Sequence, residues 1–139
     1  MKPFYWALTA ALVWGFAPII EKIGLAKIPV FMGLFYRCLG VALGAVILAL
    51  WKWDALKQAV VAPPQGWGFL LLGGFLASVV GQICFYHALK DGEASVVVPL
   101  GASYPLVSFL LGLMFLGEKV TFAKAGGLFF VLLGVILLR

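Results

Sequence analysis

Charge is what this sequence has least of. Asp, Glu, Lys and Arg make up 11% of its 139 residues, where a soluble domain carries about 25%. It holds one histidine, two cysteines and five acidic residues. So small a stock of titratable groups excludes most enzyme chemistry. No G-x-S-x-G elbow, H-E-x-x-H pair or phosphate-binding loop is present, and Asp54, Asp91, Glu93 and Glu118 fall in predicted loops rather than in a cluster. Glu118 reads as a capping or interfacial group at the entry to the last apolar run. Cys38 and Cys84 lack metal-ligand spacing and any disulfide framework, and read as buried free thiols. The net charge of +5 comes from ten scattered basic residues, which argues for anchoring at headgroups and against a nucleic-acid partner. Period-2 alternation is missing too: Leu70-Leu71-Leu72 and Phe129-Phe130-Val131-Leu132-Leu133 are continuous apolar blocks, which excludes a barrel of half-exposed strands. No cofactor or metal is implied.

What is there is apolar. Hydrophobic residues reach 65%, and the mean hydropathy is +1.16. They gather in five runs, about 4–23, 29–51, 66–89, 94–116 and 120–138. A helix needs about 20 apolar residues to cross a hydrocarbon core of about 30 Å. The first four runs reach that length, and the last is short enough to need local thinning or snorkelling by Arg139. Gly15-Phe16-Ala17 loosely fits a leader-cleavage site, but the apolar stretch continues to Ile20 and four more runs follow, so the first run reads as a span. The 17 glycines fall largely inside the runs, as in membrane helices, where small residues let backbones approach. The expected fold is an all-α membrane protein, a single domain over 1–139 with five transmembrane helices. An odd count puts the two ends on opposite sides, so a second copy joined in tandem would enter upside down, the arrangement of inverted-repeat transporters.

The connections are short: Gly24–Ile28, Lys52–Gln65 with its Pro63-Pro64 stop, the tight turn Lys90-Asp91-Gly92-Glu93 with Gly92 suited to a positive φ, and Gly117-Glu118-Lys119. Short loops make consecutive spans antiparallel neighbours. Orientation follows the Lys/Arg bias of the loops. Lys2, Lys52, Lys57, Lys119 and Lys124 lie on one side, against Lys22, Lys27, Lys90 and Arg139 on the other, with Arg37 inside the second span. That near balance fits either insertion in both directions or a weakly biased cytoplasmic N-terminus.

Ionisable groups inside spans are costly and read as functional by default. Trp14, Pro18 and Glu21 share a face of the first span, and Pro18 releases a backbone carbonyl one turn earlier. Gly33, Arg37, Gly40 and Gly44 share a face of the second, with Gly40-x-x-x-Gly44 as a packing motif. Arg37 and Glu21 are either ligands for an anion and a cation or proton, or a structural pair. Ser78, Gln82 and Tyr86 form a polar stripe on the third span, with Ser78 read as interhelical glue. Ser95, Pro99 and Ser103 repeat the spacing on the fourth, where Tyr104 and Pro105 follow. Two prolines break that span twice, and irregular backbone at membrane depth faces protein or a cavity. His87 reads as interfacial, and the fifth run, with Gly127 and Gly134, as a scaffold or dimerisation helix.

With those residues in view, the chain resembles one EamA-type half of the drug/metabolite transporter superfamily. Trp6-Ala7-Leu8 leading to Val13-Trp14-Gly15 is similar to the family's Trp-Gly motif, and Arg37 to the arginine usual in the second span. Tyr86-His87-Ala88-Leu89-Lys90 with Ala94-Ser95 and Pro99, then Pro105 and Leu116-Gly117-Glu118-Lys119, resemble the family's later landmarks. The resemblance implies transport of small organic molecules, commonly export of amino acids, metabolites or drugs, by ten spans in two fused five-helix halves. This chain supplies one half, so an inverted second copy would complete it, as in the small multidrug-resistance transporters. Those carry a membrane-centred glutamate in their first span, whereas Glu21 lies near the end of its own. The expected assembly is an antiparallel homodimer working by alternating access in the inner (plasma) membrane of a bacterium or archaeon. Its expected substrate-binding residues are Trp14, Pro18, Glu21, Arg37, Gln82, Tyr86, Pro99, Ser103 and Tyr104. The competing readings are a non-transporting subunit, a hetero-pair partner and a lipid flippase.

Overall fold

A computed structural model describes residues 3–59 and 63–138, and all regular structure among them is helical. The chain forms two compact units, 1–90 and 91–139. The first unit opens with α1 (Pro3–Leu25) and α2 (Val30–Trp51). Proline sits comfortably at a helix start because the amide hydrogen it lacks would be unpaired there anyway. That accounts for Pro3 opening α1, and Pro29, in extended backbone at φ −62° and ψ 152°, immediately precedes α2. A short α3 (Trp53–Ala59) follows, so the stretch expected as plain loop is partly helical. Asp54 in its first turn and Lys57 in its last pair at 3.3 Å, each at the favoured end of the helix dipole. Pro63 and Pro64 then start α4 (Pro64–Phe75), which runs through one π-helical turn (Leu76–Val80) into α5 (Gly81–Asp91).

The core of this unit is small and lies at one end. Leu25 and Leu89 are fully buried, and Val30, Leu34 and Tyr86 nearly so, where the end of α1, the start of α2 and the end of α5 meet. Lys22 Nζ donates to the Leu89 carbonyl at 2.7 Å and Lys90 Nζ to the Ile28 carbonyl at 3.1 Å. Lys22 thereby satisfies a carbonyl in the last turn of α5, and Lys90 one in the connection between α1 and α2. Elsewhere the large apolar side chains point outward, Leu70 at 78% exposure and Phe69 at 75% among them. Such a surface is at home in hydrocarbon, provided the backbone is satisfied within the helices.

The second unit holds α6 (Ala94–Gly101), a three-residue turn at 102–104, α7 (Pro105–Phe115) and α8 (Phe122–Leu137). The fourth apolar run is broken where its prolines predicted. Pro99 deprives the helix of one interior amide, and Pro105 restarts it from its first position. Gly117 ends α7 with φ at 64°, which brings the Glu118 amide back to the Gly112 carbonyl at 3.2 Å.

Four helical stretches, 3–25, 30–51, 65–91 and 94–115, are long and apolar enough to cross a membrane, and Phe122–Leu137 is a shorter apolar helix. Each boundary falls within about two residues of the expected one. Four local expectations change. Gly92 does not take a positive φ; among the described residues Gly117 alone does. The cap of α8 is Thr121, whose hydroxyl accepts from the Lys124 amide at 3.2 Å, while Glu118 pairs with Lys124 Nζ at 3.1 Å. Cys84 is exposed and Cys38 half-buried, since the chain by itself has too small a core to cover them. A methyl placed on Gly40, Gly44, Gly127 or Gly134 would meet nothing within 4 Å, so neither glycine stripe packs against its own unit. Lys2 and Arg139 of the charge tally lie outside the described residues.

Candidate functional site

The polar residues of the first three apolar runs converge in the first unit. Glu21 stands about one turn before the end of α1, and each of its carboxylate oxygens has a partner. Arg37 Nε, from α2, donates to Oε1 at 3.3 Å, and Gln82 Nε2, from α5, donates to Oε2 at 3.4 Å. Arg37 Nη1 reaches further, to the Ser78 carbonyl in the π-helical turn, also at 3.3 Å. Tyr86, one turn beyond Gln82, is 3% exposed and its phenol lies in the field of Glu21 and Arg37. Side-chain exposures of 27% for Arg37 and 20% for Glu21 put the ion pair in a half-buried setting. A guanidinium there needs acceptors for its five donors, and helical carbonyls are mostly committed to the backbone ladder.

Beside the pair is a hollow of about 320 Å³, walled by Leu25, Ile28, Tyr36 and Tyr86 and floored by Gly24 and Gly33. Gly33 permits the close packing at its edge: a methyl there would come 2.9 Å from Leu25 Cδ2 and 3.7 Å from Tyr86 Cε2. A methyl on Gly24 would meet nothing within 4 Å, so this side of the hollow is open. The arrangement offers a paired positive and negative group and a phenol along an apolar recess, with the Gln82 amide bonded to Glu21. Such a recess can hold a small organic molecule with one polar end.

Of the nine expected residues, Glu21, Arg37, Gln82 and Tyr86 come together. Pro18 is buried in α1. Trp14, on the same face of α1 two turns before Glu21, is 66% exposed, because the small core does not extend that far along the helix. Ser78 takes part through its carbonyl rather than its hydroxyl. His87 sits outside the cluster, edge-on to Phe31 with ring centroids 6.0 Å apart. Pro99, Ser103 and Tyr104 belong to the second unit. Ser103 and Tyr104 form its turn, where the Ser103 amide donates to the Leu100 carbonyl at 3.2 Å and the Ser103 carbonyl accepts from Leu106 at 3.0 Å. A hollow of about 590 Å³ in that unit is lined by Tyr104, Ser108, Glu118 and Lys124 with apolar neighbours on α7 and α8. Two features escaped the sequence: the π-helical turn, for which 76–80 carries no proline or glycine signal, and the hollow at Gly24 and Gly33, which only the approach of α5 creates.

Comparison with known proteins agrees with this picture. An uncharacterized protein of Methanocaldococcus jannaschii is 28% identical over 131 residues, covering 94% of this chain and 91% of its own. An uncharacterized transporter of a Sinorhizobium species is 29% identical over 136 residues, covering 96% and 94%. A probable 4-amino-4-deoxy-L-arabinose-phosphoundecaprenol flippase subunit of Photorhabdus laumondii is 26% identical over 144 residues, covering 97% and 94%. No solved structure matches. The EamA-like transporter family matches residues 1–139 throughout. A multi-pass helical chain with a polar cluster in its apolar helices, matched end to end by that family, belongs to the EamA-like transporters of the drug/metabolite transporter superfamily and is not an enzyme.

Proposed function

We propose that the chain moves a small organic molecule across the inner membrane of a prokaryote by alternating access, exporting a metabolite, amino acid or drug, with two copies in opposite orientation forming the ten-helix unit. The observation that carries the reading is the cluster of Glu21, Arg37, Gln82 and Tyr86 beside an apolar hollow. Ionisable groups at such positions are too costly to keep without a task or a partner, and here they have partners and also border open space. Substrate would meet Glu21, Arg37 and Tyr86 where they line the hollow, with Gln82 acting through Glu21, and a polar ligand group would compete for the two 3.3–3.4 Å bonds that Glu21 now makes. In the second unit the broken helix at Pro99, Ser103 and Tyr104 is the further candidate, since its irregular backbone suits a substrate path. Trp14 and Pro18 remain part of the proposed first-span wall. Support for pairing comes from the near-equal Lys/Arg tally and from the glycine stripes on α2 and α8 that find nothing to pack against in their own units.

The second reading is a flippase subunit that works with a different chain. The similarity to the Photorhabdus protein over nearly the full length of both favours it. Transport in proteoliposomes made with this chain alone, scored on a metabolite panel, separates the two. Uptake or efflux that falls at least about tenfold in Glu21→Gln and in Gln82→Ala, the loss of about 1.4 kcal/mol per polar contact, supports the first reading. Unchanged transport in both variants removes the cluster from the substrate path. Activity that appears only when a second chain is co-reconstituted favours the subunit.

A further inference from the structure

We infer that the π-helical turn at Leu76–Val80 is a positioning element for Arg37: it turns the Ser78 carbonyl onto the guanidinium and so fixes that side chain beside Glu21 at the edge of the hollow. A π turn carries one residue more than an α turn, with the Gly81 amide donating five residues back to the Leu76 carbonyl. Something must stabilise that extra residue, and three sources are open. Local sequence permits the turn without imposing it: Leu76-Ala77-Ser78-Val79-Val80 contains neither proline nor glycine, and Gly81, which closes the turn, only spares a side-chain carbon that would come 3.3 Å from the Leu76 carbonyl. The facing of the flanking helices does not impose it either. α5 is held by its own buried Tyr86 and Leu89 and by the Lys22 and Lys90 bonds at its end. α4 beyond its first turn is apolar all round, Gly66 to Phe75, and in lipid has no preferred face. What remains is the bond from Arg37 Nη1 to the Ser78 carbonyl at 3.3 Å.

The physical logic is that of donor satisfaction. A guanidinium within a span brings five donors into a region where water is scarce. Glu21 takes Nε, and an α-helical neighbour would offer only carbonyls already engaged in its ladder. Shifting the ladder by one residue loosens the carbonyls between its two registers, and a carbonyl has a second lone pair to give. Arg37 then bridges two elements with one planar group, its Nε edge on α1 and its Nη1 on the π turn. Held at both points, it cannot swing into the hollow, and the Glu21 oxygen facing Gln82 keeps its place.

The test removes the extra residue. Deleting Ala77 returns the turn to α-helical register while leaving the facing of α4 and α5 as it is. The full chain in lipid bilayers is treated with a permeant dicarbonyl that modifies arginine, and modification is mapped by mass spectrometry, with Arg139, the other arginine of the sequence, as dose reference. Arg37 is expected to react about tenfold faster in the deletion variant, the fold-change that loss of one hydrogen bond to a charged group corresponds to. A short thiol cross-link between Phe31→Cys and His87→Cys, whose parent rings are 6.0 Å apart, is expected to form as in the parent. Both are measured with Cys38→Ser and Cys84→Ser in place. An unchanged Arg37 rate overturns the inference. Loss of the cross-link, or failure of the deletion variant to fold, overturns it as well, because the turn would then be serving the packing of α5. Neither readout involves transport, so the inference stands or falls apart from the proposed function.

Discussion

Glu21 and Arg37 show what a half-buried ion pair does at the scale of a residue. An exposed pair contributes about 0–1 kcal/mol and breaking a buried one costs about 3–5 kcal/mol. With exposures of 27% and 20% the pair sits between these limits. Arg37→Gln is expected to lower stability by about 1–3 kcal/mol, read as an earlier midpoint of unfolding in mixed micelles. Adding Glu21→Gln should cost less than the two single losses together, since the second substitution removes a charge that the first left unpaired. Strict additivity would mean the two groups are not coupled. The pair of Lys57 and Asp54, 63% and 94% exposed, supplies the contrast: Lys57→Ala should leave the midpoint where it is. Sequence alone singles out Glu21 and Arg37 among the ionisable residues of the apolar runs, but leaves open whether they bind each other or a ligand. Sixteen positions separate them, and only the packing of α1 on α2 decides their distance.

Among the elements, α8 is the most sensitive to its ends. At 16 residues it rises about 24 Å, short of a hydrocarbon core of about 30 Å, so every satisfied amide at its start counts. Thr121 supplies the cap, and Thr121→Ala should cost about 0.5–2 kcal/mol while Thr121→Ser costs little. Faster hydrogen exchange at the Lys124 amide in the alanine variant alone is the expected sign. Equal exchange in both would assign the cap elsewhere. Of the two roles expected for Glu118, capping or interfacial, it does not take the first, because its side chain folds back toward Gly112 and pairs with Lys124. The third apolar run teaches a related lesson. Its polar stripe at 78, 82 and 86 assumes an uninterrupted α period, and the π turn shifts that period after Ser78. Gln82 and Tyr86 still reach Glu21, whereas Ser78 contributes backbone. The break in the fourth run was legible because proline acts on its own helix, without needing a neighbour.

Among the described residues the buried apolar core is confined to one end of the first unit, and large apolar side chains are exposed along the remaining helices. An aqueous fold cannot carry such a surface, and a bilayer or a second copy can. With all five apolar helices crossing, as the proposed assembly requires, tags fused before residue 1 and after residue 139 of any one molecule are expected on opposite sides of a sealed vesicle. Under the proposed opposed pair, each tag is cleaved in about half of the molecules, the even split that a near-balanced Lys/Arg tally favours. A single orientation in every molecule would rule out a homodimer of opposed copies and leave the hetero-pair.

By itself the sequence determined the class of this protein, the extent of its apolar helices, the break at Pro99 and Pro105 and the membership in a transporter family. Those properties follow from hydropathy and from proline, which act along the chain over one or two turns. It also singled out Glu21, Arg37, Gln82 and Tyr86, because polar groups are conspicuous in an apolar helix. Tertiary structure alone decided that Gln82 meets Glu21 across 61 positions, that Trp14 stays exposed, and that a backbone carbonyl serves Arg37. Those outcomes depend on the rotation of one helix against another, and the energies that set it arise only where side chains from distant segments touch.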